Sequence, residues 1–379
     1  MRKLKTLETY KEILEKARSA KLETLTTWYS FFRMKEDPFL SQIPEEELDY
    51  FVDRENSVHS IIYDVGVASR GIPVTVLIVG PHGSGKTATL HYIANILKRL
   101  KHEYPNEYAF NGELLSTDEL FKEPVSRDEE GEAVGEVQLW VKKSKEKKDF
   151  LFVDDVGSEH AKTIAREFVN VKLKVFAVSP FDYEQIYSSL TVAPKSHFLQ
   201  PMNLENIAQV LDKRVKRGIT NKNREVFIHD LFEEDALKAI YQYGFGVAGL
   251  TLKCASKSLN ILLDMYHRNI TSVTTGKQKV TQDIAVKACK ITKCFQAYTE
   301  FENLTRFKRE VLQQVLKKPR TPTEISSILT KDRTTISRHL GDLRDIGLVD
   351  FEPKGRESMY VATEAVKIRF EMELMPKGA

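Results

Sequence analysis

The chain has little of several features, and each shortage excludes a class of protein. It contains only three cysteines (Cys254, Cys289 and Cys294), which form no CxxC pair and are too few for a disulfide scaffold. No stretch approaches the 18 or so consecutive apolar residues that a membrane span requires. Residues 1–21 are charged throughout and lack the apolar block of a signal peptide. These shortages predict a cytoplasmic protein with reduced thiols and no membrane partner.

Charge and length set two further limits. The formal net charge is only +3, so any binding to nucleic acid has to come from local basic patches. With 379 residues the chain exceeds what one hydrophobic core usually organises, which predicts two or three domains. Its apolar and charged fractions, 41% and 29%, are those of an ordinary globular protein.

The most informative stretch is VLIVGPHGSGKTATLH, at residues 76–91. It contains a complete match to GxxxxGK[ST], placed between an apolar strand and a helix. Glycines let the loop amides turn toward phosphate, and the positive end of the following helix adds to the attraction. Lys86 would reach the β- and γ-phosphates of ATP, and the Thr87 hydroxyl would bind Mg²⁺. The predicted nucleotide-binding residues are Gly80, Pro81, His82, Gly83, Ser84, Gly85, Lys86, Thr87 and Ala88.

A second apolar run, DFLFVDD at 149–155, ends in two acidic residues. We expect Asp154 to be an outer ligand of Mg²⁺ and Asp155 to activate the attacking water; a polar strand cap is the alternative. The aspartate side chain is short for this catalytic role, and Glu159 is close enough in sequence to take it instead. Ser179 ends the next apolar run and would bond the γ-phosphate or the water, unless it is an ordinary serine at a strand end.

Residues 321–363 have the layout of a winged helix-turn-helix. Pro322 starts a short helix whose apolar residues are expected to face a core, namely Ile325, Ile328 and Leu329. A second helix opens at Asp332 or Arg333, and four of its residues share a buried face at helical spacing, namely Ile336, Leu340, Leu343 and Ile346. Gly347 ends that helix, and a hairpin follows.

The outward face of the second helix and the tip of the hairpin are the predicted DNA contacts. The N-terminal part of this helix enters the major groove in such motifs, and a basic wing tip suits phosphates or the minor groove. Hydroxyl donors discriminate weakly between bases, so the DNA sequence that the protein would bind cannot be predicted from these residues. A winged helix that contacts only protein is the alternative. The predicted contacts are Arg333, Thr334, Thr335, Ser337, Arg338, Lys354 and Arg356.

The remaining pattern describes how the chain is organised. Short apolar runs at 74–79, 149–155 and 173–179 alternate with helical patterns, which predicts a parallel sheet with helices on both faces. Residues 202–299 read as helices only. The helical pattern at 4–33 is either a docking segment or a layer packed on the protein's own core.

Three further stretches resemble one family of AAA+ ATPases. FVDRENSVHSI at 51–61 resembles the box that precedes the phosphate loop in the origin-recognition and cell-division-control initiator family of archaea and eukaryotes. HFLQPMNLENIAQVLDKRV at 197–215 is similar to that family's entry into its helical lid, and VTQDIAVKAC at 280–289 to its last lid helix. The resemblance covers about residues 45–370 and includes the terminal winged helix.

The resemblance implies a domain plan and a function. The plan is an N-terminal helical extension at 1–45, an α/β P-loop AAA+ domain at 46–200, an all-α lid at 201–300 and a winged-helix domain at 301–379. The function implied is ATP-regulated binding of double-stranded DNA in origin recognition and helicase recruitment, at the nucleoid. A replicative helicase or other replication proteins are the implied partners, and self-association on DNA is left open.

Two cationic positions of the family are absent from this sequence. The lid motif that brings an arginine onto the γ-phosphate reads Gly-Val-Ala-Gly at 246–249, with Lys253 one helical turn further on as a substitute for nucleotide contact. Between Ser179 and Phe198, where a finger arginine often lies, the lysine or arginine present is Lys195. Losing such charges commonly slows hydrolysis by orders of magnitude. We therefore expect slow or partner-dependent ATP hydrolysis.

The sequence leaves three other functions open. One is an ATPase loader of a helicase or transposase whose winged helix docks only on protein. Another is a plasmid- or virus-encoded transcriptional regulator that binds an operator. The third is a signalling ATPase held closed by ADP.

The acidic segment at 125–136, where initiators carry a DNA-contacting helix, has the wrong sign of charge to bind phosphate.

Overall fold

A computed structural model describes most of the chain. The residues described are 29, 34, 36–40, 51–107, 112–117, 149–219, 226–267, 279–354 and 357–376. Most of the helical pattern at 4–33, the acidic segment at 125–136 and the wing-tip residue Arg356 lie outside them, and so do the side chains of Glu159 and Lys354.

The central element is a five-stranded sheet in the order β2-β3-β4-β1-β5. All of its neighbouring strands are parallel. Three strands coincide with the predicted apolar runs, whereas β2 and β5 are short and more polar and were not predicted. The strands are β1 Val74–Val79, β2 Gly112–Ser116, β3 Phe150–Val156, β4 Leu173–Val178 and β5 Lys195–Phe198.

Helices cover both faces of this sheet, as the near-continuous apolar strands require. One apolar cluster joins α1 and α2 to one face, through residues such as Ile61 and Leu90. The other joins α3 and α4 to the opposite face, through Ile164 and Ile186. These helices are α1 Glu55–Ser69, α2 Lys86–Glu103, α3 Ser158–Glu167 and α4 Tyr183–Ser189.

The described part of residues 204–299 contains helices and no strand of the sheet. Asn203 caps α5 by accepting a hydrogen bond from the Asn206 amide at 2.8 Å. The helices are α5 Leu204–Gly218, α6 Ile228–Leu231, α7 Glu234–Tyr243, α8 Ala248–His267, α9 Gln282–Ile291 and α10 Cys294–Thr299.

The C-terminal elements form a winged helix-turn-helix. Thr321 and Glu324 make a capping box at the start of α12, and Asp332 caps α13. Strands β6 and β7 pair antiparallel as the wing. The elements are α11 Arg306–Lys317, α12 Pro322–Leu329, α13 Arg333–Asp345, β6 Val349–Lys354, β7 Glu357–Ala362 and α14 Glu364–Glu373.

One core expectation in this region is wrong. Ile328 is 46% exposed, whereas Ile325 is fully buried and Leu329 is half-buried. The inward stripe of α12 runs through Pro322, Ile325 and Leu329, at i, i+3 and i+7, and Ile328 lies beside that stripe. The predicted buried face of α13 is confirmed for Ile336, Leu340 and Leu343, each at 0% exposure.

The predicted fold class is confirmed: a parallel α/β P-loop sheet, a helical region and a C-terminal winged helix. A single apolar cluster runs from α5 through the helical region into the winged helix. The boundaries at 45, 200 and 300 therefore stay predictions. Among the described residues, no helix is both long and apolar enough to cross a membrane.

Candidate functional site

The loop between β1 and α2 is bent by two glycines. Gly83 and Gly85 have φ angles of 76° and 97°, in the left-handed region that glycine adopts without a steric penalty. The Ser84 amide bonds to the Pro81 carbonyl at 3.1 Å, which closes a tight turn. Because α2 begins at Lys86, directly after the loop, its positive end lies next to any anion that the loop holds.

Lys86 is folded back onto this loop. Its Nζ donates to the carbonyl oxygens of Gly80 at 2.7 Å and Pro81 at 3.1 Å. Burial lowers the pKa of Lys86, and among the neighbouring charges Glu371 opposes that change most. The loop thus contains a half-buried ammonium group, and the neighbouring charge that raises its pKa most belongs to an acid from the far end of the chain.

Thr87 and Asp154 meet as a metal site would require. The Thr87 hydroxyl donates to Asp154 Oδ2 at 2.7 Å. Hydroxyl and carboxylate oxygens are ligands that Mg²⁺ accepts, and phosphates and water usually supply the remainder. No group of three or more His, Cys, Asp or Glu in the described residues could hold a metal by itself. The donor set therefore fits a magnesium ion that is bound together with phosphate.

Asp155 occupies an unusual backbone position at the end of β3. Its φ is 55°, its side chain is exposed, and the register with β4 shifts between Val153 and Val156. The buried Thr117 hydroxyl lies within 2.8 Å of the Asp154 carbonyl and 2.9 Å of the Asp155 carbonyl. Through these two contacts Thr117 supports the strand end that carries both acids. Left-handed non-glycine residues such as Asp155 cluster at functional sites.

Ser179, at the end of β4, contacts a residue that the sequence reasoning missed. Its Oγ donates to Glu371 Oε1 at 3.0 Å, and the Phe181 amide donates back to Ser179 Oγ at 3.2 Å. The other oxygen of the same carboxylate, Glu371 Oε2, accepts from the His82 amide of the phosphate loop at 2.7 Å. Glu371 is 1% exposed, so the C-terminal helix α14 reaches into the predicted nucleotide site.

The lid helix α8 starts against the same loop. The Gly249 amide donates to the Gly83 carbonyl at 3.0 Å. The predicted substitute for the missing lid arginine, Lys253, bonds both oxygens of Glu364 on α14, at 2.7 and 2.5 Å. Glu364 also lies 3.6 Å from His82 Nε2. Lys253 is therefore linked to the loop indirectly, through the Glu364 carboxylate that lies near His82. Its direct contact with nucleotide stays a prediction.

The predicted DNA-contacting surface is only partly exposed. Arg333, Thr334 and Arg338 are exposed on α13, and Thr335 and Ser337 are half-buried. Hydrogen bonds from the Thr334 hydroxyl and the Thr335 amide lower the pKa of the Asp332 cap. The start of the helix therefore presents its cations beside a carboxylate that is already bonded within the chain.

Comparison with known proteins gives a family match for the C-terminal part alone. Residues 307–350, which span α11 to the first strand of the wing, match the family model described as HTH_5, bacterial regulatory protein, arsR family. No curated protein matches the chain.

Among solved structures, the Aeropyrum pernix ORC2 protein (ADPNP–ADP complexes) is similar at a TM-score of 0.45 and 14% identity, covering 90% of this chain and 97% of that one. Drosophila ORC bound to DNA is similar at 0.45 and 14%, covering 96% of this chain and 99% of the other. Domain III of the Thermotoga maritima replication initiation protein DnaA is similar at 0.42 and 15%, covering 66% and 98%. With TM-scores below 0.5, none of these likenesses supports a functional conclusion.

Arg54 is a second residue whose position the sequence did not indicate. It is 9% exposed and donates from Nη2 to the Gln200 carbonyl at 2.9 Å and the Ser84 carbonyl at 3.4 Å. Burial lowers its pKa. A cleft opens beside it, between the start of α1 and the segment that leads into α5, and is lined by Asn56, Ser57, Phe198, Gln200, Pro201 and Asn206.

Lys195, the predicted counterpart of a finger arginine in the family that the sequence resembles, forms an ion pair within this chain. Its Nζ forms an ion pair with Asp64 of α1, which is fully buried. This ion pair connects β5 with α1.

Proposed function

We propose that this protein is a nucleotide-regulated, duplex-DNA-binding protein of the replication-initiator type. The observation that carries the proposal is the contact of a winged helix-turn-helix with a phosphate loop in the same chain, through Glu371 and His82. A module that binds DNA is thus joined to a site that fits ATP or ADP. Nucleotide and DNA would each favour one arrangement of the two, which is regulation by differential binding.

The phosphate loop would bind ATP or ADP by its backbone amides and by the positive end of α2. Lys86 would exchange its two carbonyl partners for phosphate oxygens, because its ammonium group already lies against the loop. Thr87 and Asp154 would hold Mg²⁺, which supplies positive charge to the phosphates when bound. The nucleoside would lie in the cleft beside Arg54, which adjoins the loop through Ser84.

Hydrolysis in this proposal is slow or dependent on a partner. Asp155 would orient the water and Ser179 would contact the γ-phosphate. In the part of the chain that the structure describes, Gly249 and Lys195 stand where the resembled family is expected to carry its arginines, so neither position supplies an arginine to the phosphates. The nucleotide would then act mainly as a conformational ligand.

The winged helix would bind duplex DNA through the exposed N-terminal part of α13. Arg333 and Arg338 supply the positive charge, and Thr334 supplies a hydroxyl donor. The wing-tip residues Lys354 and Arg356 would contact phosphate. A replicative helicase or other replication proteins are the protein partners proposed, with self-association on DNA as a further part of the same proposal.

The experiment is an anisotropy titration of the full-length protein with duplex DNA, in ATP, ADP or no nucleotide, at two salt concentrations. Salt-sensitive binding that changes with the nucleotide supports the proposal. Salt-sensitive binding that is the same with ATP, ADP and no nucleotide would indicate that the ATPase serves to load a partner. Absence of binding at low salt makes the winged helix a protein-docking module, and one defined operator near a promoter favours a transcriptional regulator.

A further inference from the structure

Glu371 contacts the groups that the proposed nucleotide site reserves for phosphate. One carboxylate oxygen accepts from the His82 amide of the loop at 2.7 Å, and the other accepts from the Ser179 hydroxyl at 3.0 Å. A carboxylate and a phosphate present similar anionic oxygens to such donors. Glu371 therefore satisfies the site in the way that the terminal phosphate of a nucleotide would.

The burial of this carboxylate strengthens the comparison. Glu371 is 1% exposed, and removing a charge from water is costly unless hydrogen bonds and an opposite charge replace the hydration. Its replacements are two donors of the nucleotide site and the electrostatic influence of Lys86. The carboxylate is thus stabilised by groups that a nucleotide would also need.

Helix α14 is anchored so that Glu371 stays in this position. At its start, Glu364 pairs with Lys253 of the lid. Near its end, the ring of Phe370 stacks on Phe181, with the centroids 5.2 Å apart, and Met375 is 6% exposed within the apolar cluster under the sheet. The contacts span the whole helix, so Glu371 cannot leave the loop unless α14 shifts or its side chain turns away.

We propose that Glu371 is an internal competitor for the terminal phosphate of the nucleotide, so that the docked winged helix closes the site and ATP has to displace it. This inference rests on the proposed nucleotide function of the same loop. Ser179 is the group expected at the γ-phosphate, so ATP meets more of the competition than ADP does. Displacement of α14 would move the winged helix, which gives a physical link between ATP and the DNA-binding surface.

The test compares the affinities of ATP and ADP for the full-length protein, in the wild type and in Glu371→Gln and Glu371→Ala. Both variants should bind ATP at least about tenfold more tightly than the wild type, with a change of less than about threefold for ADP. Glu373→Gln is the matched control, because Glu373 is an exposed acid on the same helix that pairs with Arg369. Its affinities should equal those of the wild type.

The wild type provides a second measurement that needs no variant. It should bind ADP about tenfold more tightly than ATP, and a preference for ATP would overturn the inference. The inference also fails if Glu371→Gln and Glu371→Ala bind ATP no more tightly than the wild type, while Lys86→Ala has lost nucleotide binding. The proposed function itself fails if wild type and both Glu371 variants bind neither nucleotide at about 1 mM.

Discussion

A Cβ atom on Gly249 would lie 2.9 Å from the Cα of Gly83. The start of the lid helix therefore rests on the phosphate loop without room for a side chain. The initiator family that the sequence resembles is expected to carry an arginine at this place, and here a glycine allows a closer packing of lid on loop. A single substitution that restores arginine should not restore its function.

Gly249→Arg should weaken nucleotide binding by about tenfold and lower stability by about 1–3 kcal/mol, because overpacking displaces the loop or the lid. Single-turnover hydrolysis should stay below about 1 s⁻¹, the lower end of typical turnover. Gly66→Arg is the matched control, since Gly66 is exposed on α1 with no atom within 4 Å of a built Cβ. Faster hydrolysis in Gly249→Arg would show that the lid adapts and that the packing is not restrictive.

Lys86→Ala should separate the two proposed activities. The substitution removes a half-buried cation that lies against the phosphate loop, so binding of ATP and ADP should fall below detection. Duplex-DNA binding without nucleotide should remain, because the apolar residues of α2, which carries Lys86, pack in the cluster against the sheet, whereas those of the recognition helix α13 pack in a different cluster. The checks are fluorescence titrations with nucleotide and anisotropy with DNA. Simultaneous loss of both, in a variant that melts like the wild type, contradicts this division.

The parts of the site that sequence could predict are the local ones. The phosphate loop, the acids after β3 and Ser179 follow from short apolar runs and the residues that end them, and the structure brings Thr87 and Asp154 to 2.7 Å. The turn and both helices of the winged motif are equally local. Helical periodicity placed Ile328 in the core, although it is 46% exposed, because the inward stripe of α12 passes beside it.

The contact of Glu371 with the loop could not be predicted, because it joins residues 289 positions apart. A weaker signal is present: Glu371 continues the inward face of α14 after Ile368 and before Met375, at i+3 and i+7. A charged residue on an apolar stripe indicates a buried partner without identifying it. The lack of room for a side chain at Gly249 could not be predicted either, because it depends on the distance between two segments that are far apart in sequence.

Arg338→Ala should weaken duplex binding by about tenfold at low salt and reduce the slope of log K against log salt by about one. Arg338 is exposed in the part of α13 that would enter the groove. Lys238→Ala is the matched control: it removes a cation from the lid helix α7, where the lysine pairs with Glu234 and Asp235. Anisotropy at several salt concentrations measures the slope. An equal change in both variants would mean that the loss reflects net charge and not a contact at α13.

Stability should fall in mild acid partly because of His197 on β5. Its Nε2 is buried and has no hydrogen-bond partner in the part of the chain that the structure describes. Burial lowers the pKa of His197, Lys195 lowers it further, and Asp64 acts in the opposite direction. For a base with a lowered pKa, the unfolded state binds more protons between the folded pKa and the unfolded value of about 6.5. The stability that the neutral His197 contributes is therefore fully present above about pH 6.5 and is lost as the pH falls toward its folded pKa.

His197→Leu should reduce this acid sensitivity because the side chain no longer has to be kept neutral. The measurement is the thermal midpoint at about pH 7.5 and about pH 5.5, on either side of the unfolded pKa of about 6.5. The decrease between the two should be smaller in His197→Leu than in the wild type. His102→Leu, at an exposed histidine near the end of α2, controls for the loss of an imidazole in general. A decrease equal to that of the wild type in His197→Leu would show that the half-buried imidazole does not contribute, and that other groups cause the loss of stability in acid.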